Sequence, residues 1–246
     1  MTWDGNLKSV RDAENAVLQD SDVYNTQKII SHHEGDTKLL QDLHRSLQDQ
    51  TSMQMDKEDK QCLQDLRLTD PGADMRRIED SKDRLLKDSY VWILNHGDFI
   101  DWRDGETTRL LWIKGDPGKG KTMLLIGVIK ELLKSSLDSG LLSFFFCQAT
   151  EPNLNNATAV LRGLIYQMLD RQRSLISHVR REYDKTGSKL FEDNNAFNAL
   201  SNIFIDMLKD TSLKRMYLII DVLDECQFKL LQLLDLIVRN ASDSFS

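Results

Sequence analysis

The run Gly115-Asp116-Pro117-Gly118-Lys119-Gly120-Lys121-Thr122 constrains this chain more than any other stretch. An apolar segment, Arg109 to Lys114, leads into it, and a helix-prone segment, Met123 to Lys134, follows it. Strand, glycine-rich turn and helix, in that order, are the setting in which G-x-x-x-x-G-K-[ST] forms a P-loop. Average residue usage yields the bare pattern by accident in roughly one chain of this length in a hundred, and the flanking requirement lowers that. Each position has a physical reason. Gly115, Gly118 and Gly120 permit positive φ and close backbone approach, so successive N–H groups can turn inward as an anion nest. The helix that follows points its positive end at the same spot. Lys121 has the reach for β- and γ-phosphates, and the Thr122 hydroxyl suits Mg²⁺. The expectation is a nucleoside-triphosphate site spanning residues 115–122.

A second, charge-free run, Met216 to Ile220, enters the acidic stretch Asp221-Val222-Leu223-Asp224-Glu225. An acid at the C-terminal end of a parallel strand lies where such sheets present ligand-facing groups. Asp221 is therefore expected to hold Mg²⁺ together with Thr122, as a Walker-B acid does. Asp224 or Glu225 would orient the attacking water, with Glu225 preferred. The competing reading is that this acidic pair caps the final helix. Gln148 and Thr150, ending the middle strand, are expected to face the same crevice, where they could touch phosphate or water.

The other segments follow from periodicity. Ser143 to Cys147 reads as a short buried strand. Ala157, Val160, Leu161, Leu164, Ile165, Met168 and Leu169 recur at helical spacing, as do Ala196, Phe197, Leu200, Ile203, Phe204, Met207 and Leu208. Leu175, Ile176, Val179 and Tyr183 extend a helical region up to Thr186-Gly187-Ser188. Leu230 to Val238 reads as a last helix. Strands alternating with helices predict an α/β fold, a P-loop parallel sheet flanked by helices on both faces, with an N-terminal helical arm. Residues 1–68 form that arm and residues 69–246 the sheet domain. In the arm, Leu39, Leu40, Leu43 and Leu47 make one stripe, with Asp36 or Thr37 as cap. Leu63 and Leu66 mark a second helix, expected to rest on its own domain. Thr69-Asp70-Pro71-Gly72 reads as a turn. Met75, Ile78, Leu85, Leu86, Ile93 and Leu94 mark helical segments ending near Asn95-His96-Gly97, and Asp98 to Thr108 reads as a polar loop.

Composition narrows the function classes. A net charge of −7 argues against a nucleic-acid partner. The apolar stretches are far too short to span a membrane. Three scattered cysteines, Cys62, Cys147 and Cys226, fit free thiols in a reducing, cytoplasmic setting. The pair His32-His33 has no Cys, Asp or Glu at ligand spacing, so it is not read as a metal site.

Arg109 to Leu125 and Tyr217 to Cys226 resemble the NACHT P-loop NTPases of the STAND class. The nearest likeness is to fungal NOD-like receptors and heterokaryon-incompatibility proteins with a nephrocystin-like N-terminal NTPase domain. Leu66 to Pro71, Leu85 to Tyr90, Phe144 to Gln148 and Leu154 to Ala157 extend the likeness over residues 62–240. The resemblance implies a nucleotide-dependent switch, closed with diphosphate and open and oligomerising with triphosphate. It also implies ATP or GTP as ligand, and self-association or docking onto full-length NACHT relatives.

Two departures from that family bear on turnover. Val222 stands where a small residue is common. After Leu230 to Val238, no further strand with a sensor residue follows to insert between the P-loop strand and the Walker-B strand. The sheet is expected to lack its central member, leaving apolar edges around Ile113 and Ile219 exposed or abnormally paired. The expected activity is nucleotide binding with weak or absent hydrolysis, in a truncated product, a fragment or an accessory protein. The alternative is a non-catalytic interaction module that docks onto full-length relatives.

Overall fold

The computed structural model describes residue 20 and residues 43–81, 89–105, 108–116, 118–135, 140–148, 150–213, 215–221, 223 and 226–242. The expected arm residues Leu39 and Leu40, the pair Leu85 and Leu86, and His32-His33 lie outside these. The chain forms two compact units, Met1–Glu58 and Asp59–Ser246. In the first, residues 43–58 are helical, and Leu43, Leu47, Met53 and Met55 are exposed.

The second unit is built on two strands, β1 (Leu141–Phe146) and β2 (Met216–Asp221). They pair in parallel, with Leu141 opposite Met216 and Phe146 opposite Asp221. Side chains alternate across a strand, so each face collects its own set. Leu142, Phe144, Phe146, Tyr217 and Ile219 face one cluster, while Phe145 and Cys147 join the other. The first cluster is roofed by α2 (Pro71–Ser81), α3 (Val91–Leu94), α4 (Gly97–Asp104) and α5 (Lys121–Ser135). The second, larger cluster holds α1 (residues 59–66), α6 (Ala157–Arg171), α7 (Ile176–Thr186), α8 (Ala196–Leu208) and α9 (Leu230–Ser242). The result is a helical, three-layered α/β unit around a small parallel sheet.

Local chemistry explains how α6 sits on β1. Asn156 caps the helix, its side chain accepting the Ala159 N–H at 2.9 Å. Gly163 lets the helix approach the sheet, since a Cβ there would come within 2.5 Å of the Phe145 ring. Buried Gln167 then treats the outer edge of β1 as a neighbouring strand would. Its Nε2 donates to the Phe144 carbonyl at 2.6 Å and its Oε1 accepts the Phe144 N–H at 3.3 Å. At Phe144, one side-chain amide thus satisfies the backbone groups that an edge strand would otherwise leave bare. From the same helix, Arg162 donates to the carbonyls of Leu66 at 3.0 Å and Asp65 at 2.6 Å, capping the C-terminal end of α1. Cys62, Leu63 and Leu66 are buried, so this helix does rest on its own unit. On the opposite face, Trp102 of α4 lies 5.5 Å from Phe99 and 5.4 Å from Tyr217, ring centre to ring centre.

Four expectations need correction. Arg109 to Lys114 forms no strand: among the described residues it pairs with neither β1 nor β2. The run has strand composition, and Leu111 and Ile113 pack inward while Leu110 and Trp112 are 43% and 51% exposed. A strand also needs a ladder partner, and none pairs with this segment among the described residues. Ile219 is buried rather than exposed, because the α5 layer covers its face. Asp70-Pro71-Gly72 starts a helix instead of making a free turn. Asp70 accepts the Ala73 N–H at 3.0 Å, and proline suits the first helical position. Finally, Asp98 to Asp104 belongs to α4, capped by His96, whose ring nitrogen accepts the Asp98 N–H at 3.3 Å.

Candidate nucleotide site

The glycine run delivers the chain into α5, which begins at Lys121 itself. Gly118 and Gly120 have φ of 76° and 79°, in the left-handed region that side chains avoid. A Cβ at either would meet nothing within 4 Å, so conformation rather than space demands glycine there. Gly115 differs from expectation, as it is not among the positive-φ glycines. Its added Cβ would make ordinary contact with the Lys121 stem at 3.7 Å. Lys119 N–H donates to the Asp116 carbonyl at 3.3 Å, closing the turn. The first helical bond runs from Leu124 N–H to the Gly120 carbonyl at 3.0 Å. Amides ahead of that bond sit at the helix start, where a helix provides no carbonyl for them.

Lys121 bends back over the loop. Its Nζ donates to the carbonyls of Gly115 at 2.5 Å and Asp116 at 3.2 Å. A cation held by two neutral carbonyls on a partly exposed loop is available to a stronger, anionic acceptor. Thr122 is half-buried in the first turn of α5, while Asp116 and Lys119 are exposed. Asp221 ends β2 and is 3% exposed. By the alternation of Tyr217 and Ile219 it faces the layer that contains α5, and its carbonyl accepts the Cys147 N–H at 3.3 Å. The acid therefore lies on the face of the sheet that α5 covers, and the loop leads directly into that helix. Gln148 follows Cys147 and meets Arg77 of α2, whose Nη2 donates to its Oε1 at 2.8 Å. Thr150 is exposed. Pro117, Val222, Asp224 and Glu225 lie outside the described residues.

Among the described residues no three His, Cys, Asp or Glu side chains cluster as a metal site. The donor set still fits Mg²⁺ carried with a nucleotide, since that ion takes one or two carboxylates and fills its shell with phosphate oxygens and water. Sequence reasoning missed Arg77, 71 residues distant from its partner, because no local pattern announces so remote a contact. It also missed that Tyr90 steadies α5: its ring lies where a Gly127 Cβ would be, and its hydroxyl donates to Glu131 at 3.0 Å.

A parallel strand pair ending in a buried acid, beside a helix that starts from a glycine-lysine loop, defines a partial α/β protein. The chain belongs to the family described as "Nephrocystin 3, N-terminal", which matches residues 88–246. It is 59% identical over 186 residues to the vegetative incompatibility protein HET-E-1 of Podospora anserina. That alignment covers 76% of this chain and 14% of the relative, so the chain spans a small part of that protein's length. Both matches bear out the resemblance to the fungal heterokaryon-incompatibility group. No solved structure matches the chain.

Proposed function

We propose that the chain is a NACHT-type module of a signalling switch that binds ATP or GTP with Mg²⁺, its hydrolysis weak or absent. One observation carries the reading: two positive-φ glycines lead into α5, the helix that covers the sheet face toward which the alternation of β2 turns its buried terminal acid. In this reading the amides of residues 115–122 wrap the phosphates. Lys121 exchanges the Gly115 and Asp116 carbonyls for β- and γ-phosphate oxygens, replacing neutral acceptors with charged ones. Thr122 and Asp221 hold the ion, which when bound neutralises charge on the β- and γ-oxygens. Glu225, or failing it Asp224, orients water for whatever turnover occurs. Residues 69–246 constitute the module and residues 1–68 its arm, the end of which packs into the module's core through Cys62, Leu63 and Leu66. The relative's name refers to vegetative incompatibility, and we extend that context to this chain, in the cytoplasm. Three free, buried thiols support a reducing compartment, and no helix among the described residues is long and apolar enough to cross a membrane.

Titration with a fluorescent nucleotide tests the proposal. Saturable, Mg²⁺-dependent binding that Lys121→Ala abolishes is the expected result; a folded sample that binds nothing overturns it. Phosphate release is expected near background, with Glu225→Gln lowering any rate above it. The second reading, a non-catalytic docking module, is favoured by Leu110 and Trp112, exposed along a segment with no strand partner among the described residues. It predicts a folded protein that ignores nucleotide yet associates with a full-length relative.

A further inference from the structure

The tip of β1 carries an amide whose orientation is imposed from outside the strand. Arg77 can only donate, so the oxygen of Gln148 must face it, and it does so at 2.8 Å. The other arm of the amide, Nε2, is thereby turned away from Arg77. Nε2 is buried and meets no hydrogen-bond acceptor among the described residues. Buried donors in this condition are uncommon, and each calls for a reason.

Position supplies one. Cys147 continues the alternation of β1 into the α6-side cluster, which gives Gln148 the opposite face, the one that Leu142, Phe144 and Phe146 share. Arg77 agrees with that placement, because Met75 and Ile78 of the same helix pack into the α5-side cluster. Phe146 pairs with Asp221 in the sheet register, so the buried donor and the buried acid stand at adjacent strand ends and on one side. The helix that holds Gln148 also touches α5 directly, through Glu79 and Lys130 at 2.5 Å. Thus α2 grips both the helix that leaves the glycine loop and the residue beside the acid.

We propose that Gln148 is a binding residue that presents its Nε2–H to the terminal phosphate of a bound triphosphate, with Arg77 as the positioning residue that sets the amide's orientation from α2. The inference rests on the nucleotide reading above and deepens it: α2 distinguishes triphosphate from diphosphate through one hydrogen bond. A diphosphate lacks the acceptor, so its binding does not use this donor. Asp74, which accepts from the same Arg77 nitrogen at 3.2 Å, holds the guanidinium near its station.

The test is the ratio of affinities for a non-hydrolysable triphosphate and the corresponding diphosphate, both with Mg²⁺, measured by fluorescent-nucleotide titration. Gln148→Glu is the sharpest variant, because it retains the Arg77 contact and the shape while replacing the donor with an anionic acceptor. It is expected to weaken triphosphate binding about tenfold or more, from the loss of a hydrogen bond to a charged group, and to leave diphosphate binding within about twofold. Gln148→Ala should act in the same direction. Arg77→Ala should give a smaller loss with the same selectivity, and Arg77→Lys should restore part of it. Thermal melts establish that each variant is folded. Equal losses for both nucleotides, or no change for Gln148→Glu while Lys121→Ala still abolishes binding, overturn this inference alone. An unaltered protein that binds neither nucleotide overturns the nucleotide reading, and this inference with it.

Discussion

The guanidinium of Arg162 is buried, stacked 5.6 Å over Phe191, and donates to the last carbonyls of α1. Burial pushes its pKa below the usual arginine value. Removing it strands two carbonyls that the helix itself cannot satisfy. Arg162→Met is expected to cost about 2–4 kcal/mol in urea denaturation, from unsatisfied buried acceptors. Arg162→Lys should recover little, since a single ammonium does not reproduce the fork. Asp210 makes the pH prediction. The Ser212 hydroxyl, His178 at 2.7 Å and the Ser212 N–H hold its pKa at about 2, below the ordinary 3.8. A carboxylate depressed on folding stabilises above its unfolded pKa and loses that contribution as pH falls through the folded value. Asp210→Asn should therefore lower the melting temperature at neutral pH. The gap should narrow between about pH 4 and pH 2, and it should vanish below that range.

Among the elements, α5 shows how a helix can favour a residue that helices disfavour. Gly127 costs helical propensity, yet an added methyl would lie 2.2–2.7 Å from ring carbons of buried Tyr90. Alanine gains about 1 kcal/mol of propensity, but overpacking against a rigid ring costs up to about 3. Gly127→Ala is expected to destabilise by about 2 kcal/mol in chemical denaturation, and Gly127→Ala with Tyr90→Ala by less than the two single losses added. Legibility followed the same physics. Strands β1 and β2 and helices α6 and α8 were readable because each has an unbroken apolar period that a buried face requires. Residues 109–114 had the composition of a strand, but pairing depends on a neighbour that composition does not specify. Pro71-Gly72 and Asp98 to Asp104 were misread as turn and loop because Pro, Gly and Asp serve helix starts as well as turns. Within the candidate site, the glycine-lysine run was legible from local spacing, and so was Asp221 from the apolar strand before it. Arg77 and Tyr90 were not, because long-range packing assigns their partners.

For the whole molecule, the described core residues begin at Cys62 and both apolar clusters lie within Asp59–Ser246. A chain starting at Asp59 is expected to keep a cooperative thermal transition and its nucleotide response. Saturating nucleotide at about a hundred times its Kd should add about 2.7 kcal/mol, and so raise the melting temperature by about 5–10 °C. Lys121→Ala should melt at a similar temperature to the parent without nucleotide and gain nothing from its addition.

The two faces of the small sheet are unequally clothed, the α6–α8 side being the thicker. Local opening takes its cheapest route through the thinner layer. Deuterium should therefore enter α5 sooner than α6 or α8, which leaves the half that carries the glycine loop as the one whose fluctuations an occupant has most room to quieten.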